Sequence, residues 1–304
     1  MKKVFIFLKK KSVYYIERII LEKSGSFLGL RVAVLNVGFY NLLTGNVKKD
    51  VSINLNLYHS LGIFYIIKHM VKSYSKNANH NMRRPIVNKD IVDYMRTHLK
   101  ESTGHLAELE VFARKENIPI IQHEVVAYFR FLLQTLQPKK ILEVGTAIGF
   151  SALLMAEYAP DAQITTVDRN EEMIGFAKEN LAKYDSRKQI TLVEGDAAEV
   201  LQDLDTDYDF VFMDSAKSKY IVFLPEILKR LTVGGVIVFD DIFQGGDIAK
   251  DIMEVRRGQR TIYRGLHRLF DATLDNPDLT ASLIPMSDGL LMIRKNSENV
   301  ILPD

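Results

Sequence analysis

The sequence contains no cysteine among its 304 residues. This absence excludes disulfide bonds and thiolate zinc sites, and it favours a cytoplasmic protein. The seven histidines are scattered, without a pair at metal-ligand spacing, so a histidine-based metal centre is not expected. Long apolar runs are missing as well: residues 27–43 are the strongest candidate, but Arg31, Asn36 and Asn41 interrupt them. Since a transmembrane helix needs about 20 successive apolar residues, we expect no membrane span.

The net charge of +2 conceals an uneven distribution. Residues 1–69 carry eleven Lys or Arg against three Asp or Glu, a balance of +8, so the remainder of the chain carries −6. This leader shows neither a clear helical nor a clear alternating hydrophobic period. Met70, in contrast, resembles the beginning of a gene product. We therefore expect residues 1–69 to be a basic extension outside the core, as from a misplaced start codon, and residues 70–304 to form the working domain.

Strand and helix patterns alternate through the second half of the chain, after three predicted helices. Apolar spacing predicts these three helices at 88–99, 106–116 and 122–136. Strands are predicted at 141–145, 164–168, 190–194, 210–214 and 236–240, with helices between them that include 171–184 and 219–231. A tight hairpin is predicted from 280–284 and 290–294. Strands separated by helices pair in parallel. We therefore predict a doubly wound, Rossmann-like α/β fold: a seven-stranded sheet, mostly parallel with one antiparallel C-terminal strand, and extra N-terminal helices.

Glycines and acids follow three consecutive predicted strands, at the sheet edge where ligands bind in such folds. Glu143 precedes the loop Gly145-Thr146-Ala147-Ile148-Gly149, and Ser151 opens the next helix. The G-x-x-x-G spacing differs from a dinucleotide fingerprint, and the acid would repel a pyrophosphate but suits a cofactor with a sulfonium and an α-amino group. Asp168 is placed to bind a ribose diol, and Gly195-Asp196-Ala197 to border an adenine. Each feature alone is typical of an ordinary turn, but three in register favour a cofactor site.

Three carboxylates follow the fourth and fifth of these strands. Asp214 ends one strand, and Asp240 and Asp241 end the next. Oxygen ligands without histidine or thiol suit Mg²⁺, Ca²⁺ or Mn²⁺. Lys217 lies one helical turn past Asp214, and a neighbouring cation would lower its pKa and make it a usable base. The alternative for this lysine is a surface ion pair.

Four segments together resemble the catechol and caffeoyl-CoA type O-methyltransferase family and, within it, the bacterial tRNA 5-hydroxyuridine methyltransferase branch. They are Leu142-Glu143-Val144-Gly145, Gly149-Phe150-Ser151, Asp214-Ser215-Ala216-Lys217-Ser218-Lys219-Tyr220 and Asp240-Asp241. The similarity spans about residues 84–295. It implies an S-adenosylmethionine-dependent transferase, a homodimer, and methylation of 5-hydroxyuridine at the tRNA wobble position to 5-methoxyuridine.

The resemblance also implies roles for individual residues. The cofactor would be held by Glu143, Gly145, Gly149, Ser151, Asp168, Asp196, Ala197 and Asp214. The metal, magnesium by preference, would be held by Asp214, Asp240 and Asp241, and Lys217 would fall on the family's proposed base. The chain departs from the family at Asp241, where Asn is usual. The extra negative charge should tighten divalent binding.

A run of arginines bears on the substrate. Arg256, Arg260, Arg264 and Arg268 recur every four residues, with Arg257 adjacent. If helical, they form a cationic stripe that could bind anticodon-loop phosphates while an unstacked base enters the pocket. Tyr263 could add stacking, and Lys72, Lys76, Arg83 and Arg84 could extend the patch. The alternative is a solvated helix face paired with acids such as Glu254 and Asp271.

Three functional hypotheses follow from these patterns. The first is a tRNA wobble-uridine O-methyltransferase, because 5-hydroxyuridine offers a metal two adjacent oxygens. The second is a small-molecule catechol-type O-methyltransferase, because a catechol offers the same arrangement. The third is a non-catalytic cofactor-binding or membrane-tethered module. DNA is not expected as a partner.

Overall fold

The computed structural model describes residues 16–24, 27–34 and 88–303 of the chain. The chain divides into two units, Met1–Arg84 and Pro85–Asp304. In the first unit, β1 (Ile16–Ser24) and β2 (Phe27–Val34) pair as an antiparallel hairpin, which the sequence analysis did not predict. The residues of β1 do not alternate between polar and apolar, so the sequence shows no strand period there. The remaining predictions for the leader, and Lys72, Lys76, Arg83 and Arg84, fall outside the described residues.

Three helices open the second unit, as predicted. They are α1 (Lys89–His98), α2 (Gly104–Glu116) and α3 (His123–Leu136). No residue of α1 is buried, so this helix is attached by polar contacts rather than by a core face. The guanidinium of Arg96 donates two hydrogen bonds of 2.8 Å to the buried carboxylate of Glu124 at the start of α3.

A seven-stranded sheet forms the centre of the second unit. Its strands are β3 (Lys140–Val144), β4 (Gln163–Asp168), β5 (Ile190–Glu194), β6 (Tyr208–Met213), β7 (Leu231–Phe239), β8 (Leu279–Ile284) and β9 (Leu290–Lys295). Their order is β5-β4-β3-β6-β7-β9-β8. Strand β9 runs antiparallel to both of its neighbours, whereas β3 to β7 pair in parallel. The predicted doubly wound sheet with one antiparallel C-terminal strand is therefore confirmed.

Helices cover both faces of this sheet. They are α4 (Phe150–Tyr158), α5 (Glu171–Tyr184), α6 (Ala197–Asp203), α7 (Tyr220–Arg230) and α8 (Arg260–Thr273). Strand β6 shows how the two cores are separated, because its side chains alternate between the faces. Phe210 and Phe212 pack edge-on against Phe129 of α3, whereas Val211 and Met213 join the core beneath α7 and α8. Within the described ranges, no helix is both long enough and apolar enough to cross a membrane.

The strand order decides which loops meet. Strands β4, β3, β6 and β7 are successive neighbours, and their carboxyl ends lie at the same edge of the sheet. The glycine loop after β3, Asp168 of β4, Asp214 after β6 and Asp240 after β7 are thereby brought to this edge. This edge is where a ligand is expected in a doubly wound fold.

Candidate active site

The turn after β3 depends on glycine. Gly145 has a φ of +109°, and a Cβ at this position would lie 2.0 Å from the carbonyl oxygen of Asp214. Glycine therefore allows the ends of β3 and β6 to approach each other more closely than any side chain would permit. Gly149 has a φ of +81° and is the N-cap residue of α4. The two glycines of the predicted motif thus have separate roles. Gly145 allows the close approach of β3 and β6, and Gly149 begins α4.

Glu143 is a fully buried acid at the end of β3. Its Oε2 accepts a hydrogen bond from the Thr166 hydroxyl, which is also within 2.6 Å of the Thr146 hydroxyl. Its Oε1 has no hydrogen-bond partner among the residues described. Burial raises the pKa of Glu143 to about 8, against the lowering effect of the neighbouring Ser151 and Thr166 hydroxyls and with a smaller contribution from the charges of Asp214 and Asp168. A cofactor that brings a cationic donor into this buried position would stabilise the ionised, accepting form of the carboxyl.

Two further acids organise the loops after β4 and β5. Asp168 accepts hydrogen bonds from the backbone N–H groups of Ala147, Arg169 and Asn170, at 2.7–2.9 Å. Its carboxylate therefore ties the glycine loop to the end of β4. Asp196 caps α6 through the N–H of Ala198 and pairs with the Arg169 guanidinium at 2.7 Å. Both carboxylates are thus held by hydrogen bonds from the protein itself.

Two adjoining cavities lie at this edge, with volumes of about 660 and 570 Å³. Both are within the range of small-molecule sites, about 300–1,000 Å³. Their shared lining includes Gly145, Asp168, Asn170, Asp214 and Ser215. Of the other predicted cofactor residues, Ser151 lines the larger cavity, and Asp196 and Ala197 line the smaller one. Glu143 and Gly149 line neither of these two cavities.

The three predicted metal ligands and Lys217 all line the larger cavity. The ammonium of Lys217 is 3.0 Å from a carboxylate oxygen of Asp241 and 3.6 Å from one of Asp214. Asp240 is almost fully buried and accepts a hydrogen bond from the N–H of Asp241 at 2.7 Å. Burial and the charges of Asp214 and Asp241 raise the pKa of Asp240 to about 7. The cluster thus concentrates negative charge that one lysine only partly balances.

The chemistry of this donor set fits a hard divalent cation, since every available ligand atom is oxygen. Its geometry is not that of a preformed metal centre. In the part of the chain that the structure describes, no three His, Cys, Asp or Glu side chains are grouped closely enough to hold a metal ion. Asp214, Asp240 and Asp241 would therefore have to turn toward a cation, and the metal site stays a prediction.

The pKa of Lys217 differs from the sequence expectation. Burial alone would lower it, but the charges of Asp214 and Asp241 and the hydrogen bond to Asp241 outweigh burial and raise it. The expected lowering depended on a neighbouring cation. Without a bound cation, Lys217 instead forms an ion pair with these two carboxylates, and its ammonium stays protonated.

Several residues of the site were not predicted from the sequence. Thr166, Arg169 and Ser215 join the predicted acids, and the Ser215 hydroxyl is buried and has no partner within the described residues. The adjacent polar residues Thr165 and Thr166 within β4 were a signal that the sequence itself contains. The segment 116–122 between α2 and α3 also lines the larger cavity, and nothing in its sequence indicated this.

The predicted arginine stripe is only partly helical. Helix α8 begins at Arg260, so Arg256 and Arg257 precede it. Arg260 donates hydrogen bonds to the carbonyls of Val255 and Met253 and is half-buried. The Arg260 side chain therefore stabilises the loop that precedes α8. Arg264 and Arg268 are exposed and lie one turn apart on the same side of α8.

Comparison with known proteins identifies the family. A profile described as O-methyltransferase matches residues 96–296. The chain is 30% identical over 218 residues to "Probable caffeoyl-CoA O-methyltransferase 2" of Dictyostelium discoideum, covering 68% of this chain and 92% of that protein. It is 29% identical over 172 residues to a caffeoyl-CoA O-methyltransferase of Stellaria longipes, covering 54% and 71%.

Solved structures agree on the fold. The SAH-bound methyltransferase of Podospora anserina superposes with a TM-score of 0.62 at 24% identity, covering 70% of this chain and 98% of that one. The SAM-bound O-methyltransferase TomG of Streptomyces achromogenes superposes with a TM-score of 0.60 at 21% identity, covering 68% and 96%. With the family match over residues 96–296, the chain belongs to the S-adenosylmethionine-dependent O-methyltransferases of the caffeoyl-CoA type.

Proposed function

We propose that this enzyme methylates one hydroxyl of a small acceptor that carries two adjacent oxygens, such as a catechol, with the help of a divalent cation. The observation that carries the proposal is the larger cavity, which places Asp214, Asp240, Asp241 and Lys217 beside the cofactor-site residues Gly145 and Asp168. Relatives named caffeoyl-CoA O-methyltransferase and flavonoid 3',5'-methyltransferase support a small acceptor. The tRNA specificity predicted from the sequence becomes the second candidate.

Each residue of the cluster has a task in this reaction. A bound divalent cation lowers the pKa of the acceptor hydroxyl, and S-adenosylmethionine supplies the methyl group on its sulfonium. Asp214, Asp240 and Asp241 would supply oxygen ligands to such a cation. With those carboxylates turned toward the cation, the pKa of Lys217 would fall, its ammonium would release a proton to solvent, and the neutral Nζ would then accept the proton of the acceptor hydroxyl. The acceptor oxygen then bonds to the methyl carbon as the carbon–sulfur bond breaks, and S-adenosylhomocysteine leaves.

Turnover with defined phenols tests the proposal. Purified enzyme is given S-adenosylmethionine, Mg²⁺ and either a catechol or the matching single-hydroxyl phenol, and the methyl ether is quantified by mass spectrometry. We expect methylation of the catechol, little of the phenol, and loss of turnover with EDTA or in Asp214→Ala. Equal turnover of both phenols, or turnover that survives chelation, would contradict the proposal. Metal-dependent turnover of any acceptor would exclude the third hypothesis, a non-catalytic or membrane-tethered module.

A tRNA substrate is kept as the second candidate because of the surface formed by Arg256, Arg257, Arg264 and Arg268, named the arginine surface. All four residues are exposed. Within the described ranges none of them forms a salt bridge with an acid, although Glu254 and Asp271 lie near them in sequence. Unneutralised guanidinium groups bind phosphates well. Binding of a small phenol does not require this surface.

Charge reversal on α8 separates the two candidates. Arg260 is unsuitable because it holds its own loop, so the variant is Arg264→Glu with Arg268→Glu. The matched control is Lys139→Glu with Lys229→Glu, which makes the same charge change at the opposite edge of the sheet. For a tRNA enzyme, the first variant loses methylation of 5-hydroxyuridine-containing tRNA and the control keeps it. For a small-molecule enzyme, tRNA is never methylated and both variants still methylate the catechol.

A further inference from the structure

Tyr220 is a buried residue that the proposed reaction does not use directly. It is the first residue of α7 and lies three positions after Lys217. Its side chain is fully buried, and its ring packs against Phe239 with a centroid distance of 5.0 Å. Phe239 is the last residue of β7 and immediately precedes Asp240. Tyr220 therefore lies beneath both strand ends that carry the acidic cluster.

The hydroxyl of Tyr220 contacts three backbone groups. It donates to the carbonyl oxygens of Met213, at 3.1 Å, and Asp240, at 3.2 Å, sharing one proton between them. It also accepts a hydrogen bond from the N–H of Ser215 at 3.3 Å. Met213 and Ser215 are the two neighbours of Asp214 in the chain. One hydroxyl thus touches the backbone on both sides of Asp214 and at Asp240 itself.

These contacts lie where regular strand pairing stops. The parallel register of β6 and β7 ends at the pair Met213 and Phe239, and one further backbone bond of 3.0 Å joins the N–H of Asp240 to the carbonyl of Met213. Beyond this point, the segments that carry Asp214 and Asp240 are no longer held to each other by the sheet ladder. The N–H of Asp214 bonds to the carbonyl of Val144 on β3 rather than to β7, so a group that contacts both segments adds a direct link between them.

We propose that the Tyr220 hydroxyl is a positioning group that ties the ends of β6 and β7 together and so sets the spacing between Asp214 and Asp240. The inference rests on the proposed function, because that spacing matters only if the two carboxylates share a ligand. Partners that orient metal ligands affect affinity strongly, and their loss costs about 10–100-fold.

The test compares Tyr220→Phe with Tyr208→Phe. Both tyrosines are buried in the same core, at 0% and 2% exposure, and both substitutions remove only a hydroxyl. Tyr208 is the first residue of β6, so it lies at the opposite end of the strand from Asp214. It is therefore a matched control for the general effect of losing a buried hydroxyl.

Two readouts follow the predicted change. Mn²⁺ binding to the protein without substrate, measured by electron paramagnetic resonance, is expected to weaken about 10–100-fold in Tyr220→Phe. In Tyr208→Phe it should stay near the wild-type value. The kcat should fall with Mn²⁺ affinity, whereas the KM for S-adenosylmethionine should change little. Equal Mn²⁺ affinity in Tyr220→Phe and wild type would overturn the inference.

Hydrogen exchange gives a readout that does not depend on metal. The N–H of Ser215 lies beyond the sheet ladder, so its protection in the wild-type protein depends on the Tyr220 hydroxyl. We expect this amide to be protected in the wild type and to exchange faster in Tyr220→Phe. Rapid exchange of the Ser215 N–H in the wild type overturns the inference even if the variant fails to fold.

The two readouts distinguish failure of the proposed function from failure of the inference. If the wild type binds no Mn²⁺, the proposed function fails. If the Ser215 N–H exchanges at the same rate in Tyr220→Phe as in the wild type, the positioning role of Tyr220 is refuted.

Discussion

Glu143 is a predicted cofactor ligand whose ionisation is altered by burial. It is buried, its pKa is raised to about 8, and one of its oxygens has no partner in the described structure. Replacing it by Gln removes the carboxylate that would accept from the cofactor's amino group. Since a hydrogen bond to a charged group contributes about 1.5–3 kcal/mol, we expect S-adenosylmethionine affinity to fall about 10–100-fold in calorimetry. Glu194→Gln, which changes an exposed acid on β5, should leave affinity unchanged.

The same carboxyl makes stability depend on pH. Its pKa is higher in the folded protein than in the unfolded chain, so between these two values the folded state binds the extra proton. The free energy of unfolding should therefore fall as the pH rises toward about 8, with a slope of at most about 1.4 kcal/mol per pH unit. Denaturation of wild type and Glu143→Gln from pH 5 to pH 9 should show a shallower decline for the variant. Parallel curves would contradict the assignment.

Asp241 is the predicted metal ligand for which the sequence resemblance implies Asn. It has a φ of +55°, a conformation that Asn adopts readily, so Asp241→Asn should fold normally. The change removes one of the two carboxylates that pair with Lys217. We expect weaker Mn²⁺ binding and a pH–rate profile displaced to lower pH, because the pKa of Lys217 is less raised. Asp247→Asn, in the following loop, is the control for a lost charge and should change neither quantity.

Among the elements, α8 fixes the turn that carries Lys217. A Cβ on Gly265 would lie 2.9 Å from the carbonyl oxygen of Ser218 and 3.0 Å from its Cα, so the helix and the turn are in backbone contact. Gly265→Ala should therefore lower the free energy of unfolding by about 1–3 kcal/mol and reduce kcat. Gly175→Ala, at a helical glycine with open space around it, should raise stability by about 0.5–1 kcal/mol. Chemical denaturation of both variants tests this, and equal effects would refute it.

The sequence predicted most elements of the second unit because their hydrophobic periods are strong. It predicted β7 from residue 236, whereas the strand begins at Leu231 and includes Gly234 and Gly235, which obscured its period. It also predicted one continuous arginine stripe. The structure divides that stripe, because Arg257 to Gln259 form a separate short turn before α8. At β7 the pairing of Leu231 with Tyr208 of β6 sets where the strand begins, and this contact is distant in sequence.

For the whole molecule, the family match lies entirely within the second unit. A chain that begins at Met70 tests the proposal that residues 1–69 are dispensable, because it retains all of Pro85–Asp304. We expect it to match the full chain in melting temperature and in S-adenosylmethionine affinity. A large loss in either quantity would show that the leader contributes to the working protein. Sedimentation of the full chain would test the homodimer, which also stays a prediction.

The sequence by itself determined the sheet, the edge at which the site forms and the residue types gathered there. It could do so because strand and helix periods are local, and because parallel strands bring their carboxyl ends to one edge. Only the tertiary structure decided how these groups are coupled. The raised pKa values of Glu143 and Asp240, the pairing of Lys217 with Asp241, and the contacts of the Tyr220 hydroxyl all depend on burial and on neighbours distant in sequence. No period along the chain encodes those distances.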